Sequence, residues 1–201
     1  MGNYVDKTKR RGEANPSNRG DFTQLRLFSS KWDDLAAPAS AINPPGLASD
    51  PDFDTTNGGW LFDAASTEVL FIILQMPHRW REGTIIKPHV HWQKTTSASG
   101  DVYWQLDYKW SPIGEVMDAA FTTVYTTSPV AGTPDNETAN EHLISSFGNV
   151  DATGKGLSDM LLCKVSRIGG ADTYAADARF LEFDIHYEID SFGSDEEYTK
   201  A

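Results

Sequence analysis

Two stretches of this chain alternate apolar and polar residues with a period of two. From Asp101 to Trp110, the residues Val102, Trp104, Leu106, Tyr108 and Trp110 share one side, and Tyr103, Gln105, Asp107 and Lys109 share the other. From Arg179 to Asp190, Leu181, Phe183, Ile185, Tyr187 and Ile189 face one way, with Glu182, Asp184, His186, Glu188 and Asp190 opposite. Only a strand with one buried face puts such residues on separate sides. Further β runs are expected at Gly59–Asp63, Glu68–Met76, Thr84–Lys94 (interrupted by Pro88), Ala120–Thr127 and Met160–Ile168. Within Glu68–Met76 the run VLFII is continuously apolar and predicts a strand buried on both faces. Glu141–Phe147 reads as one helical turn or an edge strand, and Gln24–Ser30 as a possible short strand.

Seven or eight strands result, with no helix long enough to cross over a parallel sheet, so the pairing must be antiparallel. The expected fold class is all-β: a two-sheet antiparallel β-sandwich of jelly-roll type with an extended N-terminal arm. The sandwich is placed at 57–190 and an acidic C-terminal tail at 191–201. Residues 1–56 are read as a basic arm followed by a loop over 31–56, where Pro44-Pro45-Gly46 forbids both a helix and a central strand.

Charge separates the arm from the body. The chain of 201 residues carries 17 Lys and Arg against 29 Asp and Glu, a net −12. Residues 1–20 nevertheless hold Lys7, Lys9, Arg10, Arg11 and Arg19 against Asp6 and Glu13, a local +3. With almost no large apolar residues, such a segment cannot fold alone, and its cations suit an acidic partner surface. The acidic balance of the whole argues against a nucleic-acid partner, which requires excess Lys and Arg for phosphates. No membrane partner is expected, because the longest apolar run, Val69–Leu74, falls far short of the roughly 20 residues of a span. There is no apolar signal-type stretch at the start, and the single Cys163 excludes an intrachain disulfide.

The densest chemistry is Pro88-His89-Val90-His91-Trp92. In a strand His89 and His91 share a face, and two imidazoles at that spacing can chelate a divalent metal if a third ligand arrives from a neighbouring strand. His186, among its own carboxylates, is the candidate. With Gly83 the spacing matches the opening of the cupin metal motif. The carboxylate that motif needs next is replaced by Thr95 and Thr96, and no second motif follows. The expectation is therefore that these histidines pack and hydrogen-bond without a metal or other cofactor, leaving a cupin-like metal-dependent enzyme using His89, His91 and His186 as the alternative. The carboxylate row of 182–190 reads as an acidic sheet face in which some members find cations. Cys163, in an apolar run, reads as an inert core thiol. Six tryptophans are assigned to core and interfaces, with sugar stacking as a further possibility.

Met76-Pro77-His78, Glu82-Gly83-Thr84-Ile85-Ile86, Pro88-His89-Val90-His91-Trp92 and Leu106-x-Tyr108-x-Trp110 form a pattern. Asp172-Thr173-Tyr174, Phe183-Asp184-Ile185-His186-Tyr187-Glu188 and Gly193-Ser194 continue it. Over roughly residues 60–200 this resembles the jelly-roll decoration, or cement, proteins of tailed-bacteriophage heads. The resemblance implies a homotrimer on the capsid exterior that bridges major capsid subunits. It implies a virion component made in bacterial cytoplasm, without catalysis or cofactor. A tail or head-to-tail accessory protein fits the same features.

Overall fold

The computed structural model describes residues 31–127 and 137–200. Ten strands form two sheets: β1 Lys31–Pro38, β2 Asp52–Asp54, β3 Gly59–Phe62, β4 Thr67–Gln75, β5 Ile86–Lys94, β6 Tyr103–Ser111, β7 Thr122–Thr127, β8 Leu143–Ser146, β9 Met160–Ile168 and β10 Ala178–Ile189. One sheet runs β2-β3-β10-β5-β8, with β1 also on β10; the other runs β4-β9-β6-β7, and every pairing is antiparallel. Taken from β3 onward, the partners nest: β3 with β10, β4 with β9, β5 with β8, β6 with β7. A long hairpin rolled upon itself gives that order, which is a jelly roll. The possible strand at 24–30 and the basic segment of 1–20 lie outside the described residues.

The core lies between the sheets and is aromatic. Trp80, Trp92 and Trp104 are fully buried with Phe62, Phe180 and Phe183. Trp104 meets Phe62 and Trp92 edge-on at 5.2 and 6.0 Å, and Trp80 stacks on Trp110 at 6.4 Å. The inward set expected of β6 is buried apart from the half-buried Tyr108. Cys163 is buried as well, and that burial pushes its thiol pKa up.

Arg167 is also fully buried. Its five N–H groups are all used, on both oxygens of Asp172 and on the carbonyls of Phe62, Ala176 and Tyr174. A buried guanidinium is tolerable only when so completely satisfied. The bonds tie β9 to β3 and to the 172–176 loop.

Four readings change. Residues 31–56 are not simply a loop: β1 pairs with β10 over eight registers, Lys31↔Ile189 to Pro38↔Glu182, and β2 adds a short edge strand. The sequence KWDDLAAP is poor in β formers; β1 exists because β10 outruns β3 and leaves half of one edge to be covered. β4 is buried on one face only, since in a two-sheet sandwich every strand turns its other face away from the core; Phe71 is 47% and Ile73 61% exposed. The alternation in β10 slips at a bulge between Phe180 and Glu182, which turns both Phe180 and Phe183 inward. The 191–200 segment folds back: Ser194 Oγ lies 2.6 Å from His78 Nδ1, and Lys200 bonds the Trp80 carbonyl and Asp190.

Pro88 sits inside a central strand without breaking it. Its carbonyl accepts from Phe147 N, and the N–H that proline lacks falls on the same side, just past the end of the β5–β8 ladder, so at most one terminal ladder bond is lost.

Candidate functional site

On the outer face of the first sheet, β5 presents Lys87, His89, His91 and Gln93, and β10 presents Glu182, Asp184, His186 and Glu188. The register places His89 directly across from Asp184 and His91 across from Glu182. β1 brings Asp34 beside His186, and His142, just before β8, meets His91. The three histidines weighed as an alternative ligand set, His89, His91 and His186, therefore gather around one carboxylate.

Asp184, 3% exposed, is the centre. Its Oδ1 lies 3.6 Å from His89 Nδ1 and 3.3 Å from His91 Nε2, and its Oδ2 lies 3.2 Å from His186 Nε2. His186 Nε2 is also 3.2 Å from Asp34 Oδ1. The His89 and His186 rings are 4.2 Å apart, and His91 Nδ1 is 2.8 Å from His142 Nε2. Ligand atoms of His89, Asp184 and His186 all fall within 4.8 Å of one another.

The electrostatics follow from this packing. Burial lowers the pKa of His89, against the pull of Asp184, and favours its neutral imidazole. The Asp184 carboxylate raises that of His91 against a smaller desolvation. Burial, and then His91, lowers that of His142. His89 Nδ1, His91 Nε2 and Asp184 Oδ1 are buried without a well-aligned hydrogen bond, although the carboxylate lies within ion-pair reach of both rings.

Elsewhere in the acidic row, Glu188 meets Arg81 at 3.4 Å and Asp190 meets Lys200. Sequence reading did not single out His142 or Asp34. His142 fell in a segment read as either a turn or an edge strand, and Asp34 in a segment read as a loop. Lys7, Lys9, Arg10, Arg11 and Arg19 lie outside the described residues.

The outer face of the second sheet differs in kind. Phe71 and Ile73 of β4 sit beside Lys164 and Leu162 of β9, which pair in turn with Asp107 and Lys109 of β6. Asp107 is nearly buried there and accepts from Lys164, Gln105 and Thr123. Those three bonds lower its pKa against the opposing effect of burial, the largest single influence on it. Tyr103 and Tyr125 pair at 5.5 Å, and Lys109 lies 4.7 Å above the Phe121 ring. The face combines an apolar strip with a satisfied polar centre.

No protein-family profile and no curated relative matches the chain. Several solved structures are similar to this chain. An isomalto-dextranase of Arthrobacter globiformis T6, complexed with panose, is 14% identical with a TM-score of 0.38, over 76% of this chain and 23% of that one. A Clostridium thermocellum xylanase 10B fragment with CBM22-1 and GH10 modules, complexed with xylohexaose, is 11% identical with a TM-score of 0.36, over 82% and 27%. The module TmCBM61, in complex with β-1,4-galactotriose, is 10% identical with a TM-score of 0.33, over 78% and 88%. This chain spans under a third of the dextranase and of the xylanase fragment. Among the described residues no helix is long and apolar enough to cross a membrane.

Proposed function

We propose that this chain is a non-enzymatic virion structural protein of a tailed bacteriophage, one that decorates the head exterior as a homotrimer and bridges major capsid subunits. The observation that carries the reading is the outer face of the second sheet. There Phe71 and Ile73, on an edge strand, expose large apolar side chains next to Leu162. A soluble chain rarely leaves such a strip uncovered, and it suits burial against other copies and the shell. The residues that carry the phage resemblance also meet in space. Pro88–Trp92 and Phe183–Glu188 are paired strands, His78 meets Ser194, and Tyr174 accepts from the buried Arg167. The basic residues Lys7, Lys9, Arg10, Arg11 and Arg19 then serve as charge contacts to acidic shell surface. Each such pair contributes only about 0–1 kcal/mol, but a trimer repeats them.

The test is co-sedimentation with heads assembled without this chain, comparing the full chain with one lacking residues 1–20 across a salt series. The full chain should bind, and more salt-sensitively than the truncated one, because exposed charges are screened within about 10 Å at 0.1 M. Failure of the full chain to bind heads at any salt concentration would remove the decoration reading. Binding to tail or neck particles instead would move the protein along the virion.

A further inference from the structure

We infer that His89, His186 and Asp184 form a binding site for one divalent transition-metal ion of the zinc class on the outer face of the first sheet. The inference is independent of the capsid reading, and it revises the metal-free expectation for these histidines.

Geometry comes first. In a tetrahedral site with ligand bonds of about 2.0–2.2 Å, neighbouring donor atoms stand about 3.3–3.6 Å apart. The contacts of Asp184 with His89, His91 and His186 are 3.6, 3.3 and 3.2 Å. The first and last fall close to that range, and the donor atoms of His89, Asp184 and His186 all lie within 4.8 Å of one another, near enough to close on one ion.

The second observation is the lack of hydrogen-bond partners at that centre. His89 Nδ1 and Asp184 Oδ1 are buried, 3.6 Å apart, and make no well-aligned hydrogen bond. Buried polar atoms left so are costly, and a cation between them would satisfy both.

The surroundings fit a metal ligand set. His91 Nε2, 3.3 Å from Asp184 Oδ1, is the outer partner that orients the ligating carboxylate, and His142 steadies that ring at 2.8 Å. Asp34 Oδ1 lies 3.2 Å from His186 Nε2, the same nitrogen that faces Asp184, and adds a further carboxylate from β1 beside the ligand set. Directly opposite Asp184 on β1 stands Ala36, which adds little bulk. Imidazoles with one carboxylate favour zinc, cobalt, nickel or copper over calcium or magnesium, which want oxygen donors. The ion would link β5 and β10, and through Asp34 also β1, so its role is to fasten the sheet.

The experiment uses the full chain, expressed without a histidine tag, stripped with EDTA and titrated with Co²⁺ or Zn²⁺. One equivalent should bind. Cobalt should give the visible bands of a four-coordinate ion, and zinc should raise the thermal midpoint. His186→Gln, at a half-exposed position that the fold tolerates, should abolish the cobalt bands while far-UV circular dichroism stays unchanged. His91→Gln should weaken affinity about 10–100-fold. Absence of saturable uptake below about 100 µM zinc, or equal uptake by His186→Gln and Asp184→Asn, would overturn the site.

Discussion

Asp54 shows how much a single carboxylate can be committed to one ionisation state. Asn57 Nδ2 donates to it at 2.9 Å, the Thr56 and Asn57 amides at 2.9 and 3.2 Å, and Arg179 Nε at 2.9 Å. These donors, the Asn57 side chain foremost, hold its pKa down at about 2 from 3.8. A carboxylate depressed in the folded state stabilises the fold above its unfolded pKa and stops doing so as pH falls through the folded value. Asp54→Asn should therefore lower the urea midpoint at neutral pH, and the gap to the parent should close between about pH 4 and pH 2. A gap that stays constant over that range would mean that the ionised form is not what matters. Arg179 also reaches Gln93 and Asn140, so Asp54 anchors one corner of the sheet whose opposite stretch carries the histidines. None of this was legible in the sequence, because Asp54, Gln93, Asn140 and Arg179 are far apart along the chain and each looks like an ordinary surface residue.

Individual strands were legible to the extent that their own side chains decide them. β6 and β9 appear within two residues of where the pattern puts them, because a strand with neighbours on both sides must bury one whole face. Leu106 and Phe183, both fully buried, are the positions to test. Leu106→Ala and Phe183→Ala should each cost about 2–5 kcal/mol in chemical denaturation. Losses under about 0.5 kcal/mol at both would mean the inward faces are reversed. β1 was invisible for the opposite reason: Asp33, Asp34, Ala36 and Ala37 carry no strand preference, and the open edge of β10 recruits them. The apolar run of β4 misled because exposed Phe71 and Ile73 look the same in sequence as core residues. The convergence of His89, His91 and His186 follows from the pairing of β5 with β10, and pairing partners so far apart cannot be read from spacing alone.

For the whole molecule, the two outer faces divide the work. One carries the histidine and carboxylate cluster, which is internally paired; the other carries the apolar strip and is the better surface for self-association. Light scattering should accordingly find three copies of the 22.2 kDa chain per particle. Ile73→Asp should shift the protein to single copies without unfolding it, since that side chain is 61% exposed. A parent that remains a single copy, both alone and on heads, would count against the trimer.

The last strand of the roll, β10, is partner to β1, β3 and β5, and β9 just before it holds β4 against β6. During synthesis from the N-terminus, most of the earlier strands therefore leave the ribosome with an edge unmatched, and neither sheet can close until residues 160–189 emerge. At elongation rates of about 5–20 residues per second, that leaves several seconds in which VLFII and its neighbours are exposed. A ribosome stalled before residue 178 would carry a nascent chain with the first sheet split into pieces. Such a chain should stay bound to chaperones and sensitive to proteases, whereas release of the full chain should bring protection in a single step.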